Sequence, residues 1–313
     1  MRKNNLAFVF PGQGSQQIGM LADLSEEYVL IMETFAEASE VLGYDLWNLV
    51  QNGTQEDITL TERTQPLLLT ASVAAWRIWQ SRSGLAPALL AGHSLGEWSA
   101  LVCAEVVSFA DAVGLVRNRG AYMQEAVPRG EGAMAAIIGL DDDLIRSACK
   151  ASAAGEVVSA VNFNSPGQVV IAGNAAAVER AIAACQEAGA KRALPLPVSA
   201  PFHTSLMQPA ADRLAAEIMA TPFSPPKTLI VHNVHAKTES DPEKIKQLMI
   251  DQICSPVLWV DCVNTLTAEG VDTVVECGAG KVLGGLCKRV DKSLNTYATG
   301  DIASLNKALA EIN

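Results

Sequence analysis

The sequence lacks the features that would assign it to a membrane or nucleic-acid-binding class. No stretch approaches the roughly 20 apolar residues that span a bilayer. The apolar run at 6–10 ends at Pro11, which is too short for a secretory signal. Basic residues number 23 against 34 acidic ones, so the clustered positive charge that nucleic acid or an anionic membrane requires is missing. We expect neither partner.

Cysteine is present without a pattern. Its seven copies are scattered, odd in number and free of any C-x-x-C motif, which argues against a disulfide framework. We expect reduced, mostly buried thiols in a soluble, cytoplasmic protein.

Strand and helix patterns alternate along most of the chain, which predicts a parallel sheet covered on both faces. Ser108 is an expected N-cap and Gly84 an expected helix stop. The predicted strands lie at 6–10, 87–93, 228–234 and 271–276, and the predicted helices at 65–81, 95–105, 108–126, 241–253, from about 281, and at 301–312.

The middle of the chain has a different order, β-α-β-β-α-β. Its strands are predicted at 133–139, 157–163, 168–173 and 191–197, with helices at 141–153 and 174–189. This order is typical of a ferredoxin-like module. We therefore expect an α/β fold with a parallel-sheet, α/β-hydrolase-like core (1–127 and 199–313) and an inserted ferredoxin-like subdomain (128–198).

The segment GHSLG at 92–96 fits the G-x-S-x-G pattern of a nucleophile elbow. The alternative is a glycine-rich turn that happens to hold a serine. The predicted strand before it and helix after it favour catalysis, because this sharp turn exposes the serine at the carboxyl edge of a sheet. The helix N-terminus would also offer backbone N–H groups to an oxyanion. We predict Ser94 as a nucleophile.

A serine hydroxyl needs a base, and the chain has four histidines. His93 adjoins Ser94, so at a tight turn its side chain is expected to point away. His232 and His235 lie three positions apart in a predicted strand, hence on opposite faces, and no third metal ligand accompanies them. Core packing is therefore the favoured interpretation, and no metal is expected. His203 remains, in a loop between two prolines, and is the predicted base.

The loop FPGQGSQ at 10–16 follows the first predicted strand. A dinucleotide fingerprint would need a glycine at position 17, which is Gln17, so that interpretation fails. Beside a nucleophile elbow, such a loop is better suited to donate a second oxyanion-hole N–H, which we assign to Gln13.

Eight segments, in order and without a large insertion between about residue 5 and 290, resemble a single family. That family is the stand-alone bacterial malonyl-CoA:acyl-carrier-protein transacylases of type II fatty acid synthesis. The segments are FVFPGQGSQ, TQPLLLTAS, AGHSLGEWSALVCAE, VRNRGAYMQEAVP, GAMAAIIGL, VNFNSPGQVVIAG, KRALPLPVSAPFH and VECGAGKVL.

The resemblance implies transfer of a malonyl group from malonyl-CoA to the phosphopantetheine thiol of acyl carrier protein, through a malonyl-serine and with ping-pong kinetics. Ser94 would be the nucleophile, and His203 the general base and later general acid. The N–H groups of Gln13 and Leu95 would form the oxyanion hole. Gln252 would orient His203 through its main-chain carbonyl, giving a dyad without an acidic member. No cofactor is implied, since coenzyme A is part of the substrate, and we expect a monomer.

Arg119 and Phe202 each have an ordinary interpretation beside a functional one, and only for Arg119 does position alone favour the ordinary one. Arg119 would be a surface arginine on a helix, but the resemblance implies that it pairs with the malonyl carboxylate. A guanidinium suits that task because it can donate two parallel hydrogen bonds. Phe202, before His203, either excludes an α-methyl group from the donor or packs the loop.

Other functions remain open to the same sequence. A serine thioesterase or hydrolase shares the elbow, and a malonyl transferase of polyketide synthesis or malonate decarboxylation shares most of the motifs. A third alternative is a scaffold that binds carrier protein without chemistry. Because carrier protein is acidic, the pairs Lys191-Arg192 and Lys288-Arg289 are candidate docking charges.

Overall fold

The computed structural model describes residues 2–83, 85–198 and 200–312. The expected helix stop at position 84 and the expected boundary at 199 lie outside these ranges. The strands are β1 (Arg2–Phe10), β2 (Ala86–Gly92), β3 (Gly132–Ile138), β4 (Val158–Ser165), β5 (Gln168–Asn174), β6 (Arg192–Pro195), β7 (Leu229–Val231), β8 (Thr238–Glu239), β9 (Thr273–Glu276) and β10 (Asn295–Ala298).

Helices make up most of the remaining structure, together with a 3₁₀ helix at Ser205–Met207. They are α1 (Ala22–Glu27), α2 (Val29–Leu42), α3 (Leu46–Asn52), α4 (Gln55–Thr59), α5 (Thr61–Arg82), α6 (Leu95–Cys103), α7 (Phe109–Glu125), α8 (Asp142–Ser152), α9 (Ala175–Glu187), α10 (Gln208–Ala220), α11 (Pro242–Asp251), α12 (Trp259–Ala268), α13 (Val282–Val290) and α14 (Ile302–Ile312). None of these helices is long and apolar enough to cross a membrane.

The larger sheet has the strand order β10-β9-β1-β2-β7-β8, and its pairs are parallel except for β7 with β8. Phe10 is paired with Gly92, and Val9 with Glu276. The carboxyl ends of β1, β2 and β9 therefore meet at one edge of the sheet. In parallel sheets this edge carries the loops that bind ligands.

Both faces of this sheet are buried, as the continuous apolar runs predict. On one face Phe8 packs edge-on against Trp76 and Trp79, with ring centroids 5.2 and 5.0 Å apart. On the other face Ala7 and Val9 belong to a second core cluster with residues of α12 and α13. The prediction of a largely parallel, doubly covered sheet is confirmed.

The second sheet is antiparallel and has the order β4-β5-β3-β6. Apolar residues of α8 and α9 form a separate core cluster with one face of this sheet. The chain leaves the larger sheet after α7, builds this layer, and returns through the loop that carries His203. The mixed α/β architecture agrees with the sequence prediction.

Some predicted elements differ in extent. The helix expected over 65–81 begins four residues earlier, because Arg63 and Thr64 donate to the Leu60 carbonyl and the side chains of Thr61 and Thr64 are buried. The strand expected over 228–234 ends at Val231. His232 and His235 are therefore not on opposite faces of a strand, and their rings lie 6.0 Å apart. That expectation was wrong, because the chain turns out of the sheet at His232.

Candidate active site

Ser94 lies at a strained corner between β2 and α6. Its backbone has φ 52° and ψ −107°, a conformation that non-glycine residues rarely adopt outside functional sites. The flanking glycines allow the close approach: a Cβ on Gly92 would lie 2.0 Å from the Gly96 carbonyl carbon, and one on Gly96 would lie 2.0 Å from the Phe10 carbonyl oxygen. The turn thus presses β2, α6 and the end of β1 together.

Two amide side chains hold the backbone of Ser94. Its N–H donates to Asn233 Oδ1 at 2.7 Å, and its carbonyl accepts from Gln252 Nε2 at 3.0 Å. Asn233 also donates from Nδ2 to the Gly92 carbonyl at 2.7 Å. Both amides are fully buried, so these hydrogen bonds are shielded from water. They offset the strain of the corner.

His203 is the side chain that faces the serine hydroxyl. The distance from Ser94 Oγ to His203 Nε2 is 2.8 Å, and His203 Nδ1 lies 2.9 Å from the Gln252 carbonyl oxygen. A carbonyl only accepts, so Nδ1 must carry the proton, and Nε2 is left free to accept from the hydroxyl. Thr204, which accepts from Leu206 N, begins the following 3₁₀ helix and fixes the loop.

Burial sets the protonation state of His203. Burial and, after it, the nearby Arg119 guanidinium lower the pKa of the imidazole from 6.5 to about 3, while the hydrogen bond to the Gln252 carbonyl opposes the shift. The ring is therefore neutral at pH 7. A neutral ring with an unprotonated Nε2 is what a general base requires.

Arg119 is a buried cation on α7, with 2% of its surface exposed. Nη1 donates to Gln65 Oε1 at 2.8 Å, and Nη2 donates to Gln252 Oε1 at 3.0 Å and to Ser94 Oγ at 3.3 Å. Within the described residues no carboxylate pairs with it. Burial lowers its pKa to about 10, so it stays charged at neutral pH. This guanidinium can accept an anionic ligand.

A cavity of about 130 Å³ opens onto these groups. Gln13 and Leu95 also line it, and the glycine at position 12 allows the first loop to reach it, since a Cβ there would lie 2.5 Å from the His93 carbonyl oxygen. Leu95 is the first residue of α6, so its N–H has no acceptor within the helix. The second sheet and the following chain contribute Met134, Asn162, Leu196, Val198 and Phe202.

The other histidines lie outside the Ser94–His203 contact. His93 Nε2 donates to Asn164 Oδ1 at 2.8 Å, and burial lowers the pKa of His93. His232 is fully buried and its Nδ1 lies 2.7 Å from Glu97 Oε1. Over residues 2–83, 85–198 and 200–312, no group of three or more His, Cys, Asp or Glu side chains could hold a metal ion.

Three residues at the site were not singled out in the sequence: Gln65, Asn233 and Glu97. Each is buried, and each bonds to a partner far away along the chain. Glu97 directly follows the elbow segment, and Asn233 lies two residues after the end of β7, so their positions were the available signal. Their roles depend on contacts across the fold, which a local pattern does not give.

Comparison with known proteins supports the class that this fold and serine–histidine pair indicate. The acyl transferase domain family matches residues 7–301. The malonyl CoA-acyl carrier protein transacylase of Salmonella typhimurium is 58% identical over 97% of this chain and 99% of its own. That of Escherichia coli K12 is 57% identical over 97% and 98%.

Solved structures support the same class of protein. An acyl carrier protein S-malonyltransferase from Vibrio cholerae superposes with a TM-score of 0.95 at 59% identity, covering 97% of this chain and 99% of that one. A malonyl-transacylase in complex with its type II polyketide synthase acyl-carrier protein gives 0.97 at 55%, over 98% and 99%. The chain therefore belongs to the acyl transferase family, among the malonyl CoA-acyl carrier protein transacylases.

Proposed function

We propose that this chain transfers the malonyl group of malonyl-CoA to the phosphopantetheine thiol of acyl carrier protein in fatty acid biosynthesis. The observation that carries the proposal is one cavity in which Ser94 Oγ lies 2.8 Å from His203 Nε2 and 3.3 Å from Arg119 Nη2. The first contact supports nucleophilic acyl transfer. The second supports a donor with a free carboxylate at its far end.

In the first half-reaction His203 Nε2 takes the Ser94 proton as Oγ attacks the malonyl thioester. The backbone N–H groups of Leu95 and Gln13 stabilise the oxyanion of the tetrahedral intermediate. The carbon–sulfur bond then breaks, and His203 gives its proton to the departing thiolate. This leaves coenzyme A as a thiol and malonyl as an ester on Ser94. No acidic third residue is needed, because the Gln252 carbonyl fixes the ring.

The second half-reaction reverses these steps with a different thiol. His203 takes the proton of the phosphopantetheine thiol, the thiolate attacks the ester, and Ser94 recovers its proton. One thioester replaces another of similar energy, so the protein's contribution is kinetic. The malonyl-serine must be reachable by a thiol and protected from water, and the kinetics are ping-pong.

Arg119 supplies the selection for malonyl. We propose that its guanidinium pairs with the free carboxylate of the acyl group, which an acetyl group lacks. Within the protein, the Arg119 guanidinium donates to the neutral amide oxygens of Gln65 and Gln252. Its positive charge is therefore available to pair with the substrate carboxylate. Malonyl-CoA and acyl carrier protein are the proposed partners, and no cofactor or metal takes part.

Finer features of the architecture are also proposals. The order β4-β5-β3-β6, together with α8 and α9, supports a ferredoxin-like subdomain at 128–198, and the elbow after β2 supports an α/β-hydrolase-like core at 1–127 and 199–313. Seven free thiols support a reducing, cytoplasmic setting. A monomer remains the proposed state.

The test is mass spectrometry after brief exposure of the protein to malonyl-CoA. We expect a malonyl adduct on the peptide that contains Ser94, absent in Ser94→Ala and discharged when acyl carrier protein is added. Failure to trap the adduct in the wild-type protein would favour a scaffold that binds carrier protein without chemistry.

Two related functions are distinguished by the same adduct. In a serine hydrolase or thioesterase, water would discharge it at a rate that the carrier thiol does not increase. A malonyl transferase of polyketide synthesis is favoured by one observation, the similar transacylase bound to a type II polyketide synthase carrier protein. Discharge rates with carrier proteins of the two pathways would separate these assignments; malonate decarboxylation remains a further alternative.

A further inference from the structure

Glu97 is a fully buried carboxylate and the third residue of α6, and the mechanism above does not use it. Its Oε2 accepts from Gln252 Nε2 at 2.7 Å and from Asn233 N at 3.1 Å, and its Oε1 accepts from His232 Nδ1 at 2.7 Å. Within the described residues no lysine or arginine pairs with it. A buried carboxylate is costly unless hydrogen bonds or a nearby positive charge compensate for its lost hydration.

The carboxylate fixes which way the Gln252 amide points. An ionised carboxylate only accepts, so the NH₂ end of the amide must face Glu97, where it also reaches the Ser94 carbonyl. The oxygen end is then forced toward Arg119, and Nη2 donates to it at 3.0 Å. A flipped amide would place two donors against each other.

The arrangement separates two opposite charges by one neutral amide. Glu97 is the buried anion near Arg119, yet the guanidinium contacts Gln252 and not the carboxylate. A direct ion pair would occupy the donors that a substrate carboxylate needs. Placed one residue away, Glu97 offsets the buried positive charge while leaving those donors available.

We propose that Glu97 is a positioning residue for donor selection, acting through Gln252 to hold Arg119 at the cavity without a direct carboxylate partner. The proposal rests on the proposed function, since it needs a malonyl donor. It predicts that Glu97 controls the preference for malonyl-CoA over acetyl-CoA.

The test compares wild type with Glu97→Gln, using kcat/KM for malonyl-CoA and for acetyl-CoA. We expect the ratio of the two to fall about tenfold, the range expected when a charge-assisted hydrogen bond is lost. In a Gln252→Ala background the same substitution should change the ratio little, because the connection to Arg119 is already removed.

Glu276→Gln is the matched control. Glu276 is the other fully buried glutamate and accepts from Val282 N and Gly284 N at the start of α13, with no hydrogen bond to a site residue. It should lower stability without changing the ratio. If Glu97→Gln behaves in the same way, with lower stability and the wild-type ratio, Glu97 is structural and the inference is wrong.

A second variant covers the case in which Glu97→Gln does not fold. Gln252→Glu places a carboxylate against Arg119, so the malonyl KM should rise while the acetyl KM changes little; an unchanged malonyl preference would overturn the inference. The wild-type protein distinguishes a failure of this inference from a failure of the proposed function. A wild-type protein that transfers no malonyl contradicts the proposed function itself.

Discussion

Arg119 combines deep burial with amide partners, and this combination gives it two effects on the chemistry. Its charge lowers the pKa of His203 and is the second cause of that shift, after burial. Under the proposed function the same charge would pair with the acyl carboxylate, so one residue would both select the donor and keep the base unprotonated. Pairing with a malonyl carboxylate would then remove part of the effect on the pKa of His203 and make the imidazole a stronger base.

Donor selection is the first prediction for a single residue. Replacement of Arg119 by alanine removes the two parallel charge-assisted hydrogen bonds available to malonyl, so the preference for malonyl-CoA over acetyl-CoA should fall by roughly 100-fold. Competition between the two donors for the carrier thiol measures it. A preference that stays at the wild-type value would contradict this role.

The second prediction concerns the pH at which the base is lost. Burial and Arg119 lower the pKa of His203 to about 3, so modification of Ser94 by a small uncharged serine reagent should keep its rate as the pH falls through 6.5. Arg119→Gln removes the permanently charged neighbour that lowers the pKa of His203 and should move the acid limb to higher pH; His93, whose own pKa burial lowers, stays in place. An acid limb that stays in place would show that the guanidinium does not act on the ring.

The lowered pKa of His203 also makes the free energy of unfolding depend on pH, and it rises with pH below 6.5. Between pH 6.5 and about 3 the unfolded chain takes up a proton on this residue that the folded chain does not. The contribution to the free energy of unfolding is therefore complete above pH 6.5 and is lost as the pH falls toward 3.

The turn between β2 and α6 depends on amides from distant parts of the chain. Asn233→Ala removes the acceptor of the Ser94 N–H and the donor to the Gly92 carbonyl, so the strained corner should relax and displace Oγ. We expect kcat/KM to fall by roughly 100-fold, as for a displacement of about 1 Å. Steady-state kinetics with malonyl-CoA and carrier protein measure this change.

A matched asparagine makes the comparison specific. Asn174 at the end of β5 accepts from Val157 N at 2.9 Å and, among the described residues, its side chain makes no hydrogen bond to the site. Asn174→Ala should reduce stability and leave kcat/KM near the wild-type value. Equal losses of activity in the two variants would mean that Asn233 supports the fold in general and not the elbow.

The elements that sequence patterns predicted are those with strong local signals. The strand–turn–helix at Ser94 and the N-cap Ser108, which accepts from Asp111 N, are local features. The sequence patterns predict no elements over residues 22–59, although the structure has four helices there. Two of these helices begin at side-chain caps, Asp45 and Thr54. The four-residue strand β10 was also missed, because its pairing with β9 and not its composition makes it a strand.

The site residues likewise divide into those with a local sequence signal and those placed by contacts between distant parts of the chain. Ser94 lies in a motif, and His203 followed from elimination among few candidates. Asn233 reaches Ser94 across 139 positions, and Gln65 reaches Arg119 across 54, so no local period contains these contacts. The first contact exists because the parallel neighbours β2 and β7 end at the same edge of the sheet, and the second because α5 packs against α7.

The molecule as a whole carries a net charge of −11, which opposes association with an acidic carrier protein. Both candidate docking pairs are exposed. Arg192 begins β6 and Lys191 precedes it, while Lys288 and Arg289 lie in the last turn of α13, where Arg289 donates to Gln168 Oε1 at 2.5 Å. Neither pair has been tested, and both stay predictions.

Charge reversal at each pair is the corresponding prediction. The double change to glutamate should raise KM for carrier protein by roughly tenfold at low salt and leave KM for malonyl-CoA unchanged. Lys150→Glu, an exposed lysine on α8, is the control. Equal effects on both substrates would place the altered charge at the coenzyme site and not at a protein interface.

The cavity of about 130 Å³ has a guanidinium and amide groups around the reacting serine. Apolar side chains, among them Met134, Leu196 and Phe202, line the rest of the cavity, so polarity alone does not exclude an alkyl group. A long acyl chain would not fit within this volume, and beside the guanidinium it would remove water that it could not replace with hydrogen bonds. We therefore expect fully elongated acyl thioesters to be poor donors. Under the proposed function, such an interior would load the building block without unloading the finished chain, and so give the flow of carbon a direction.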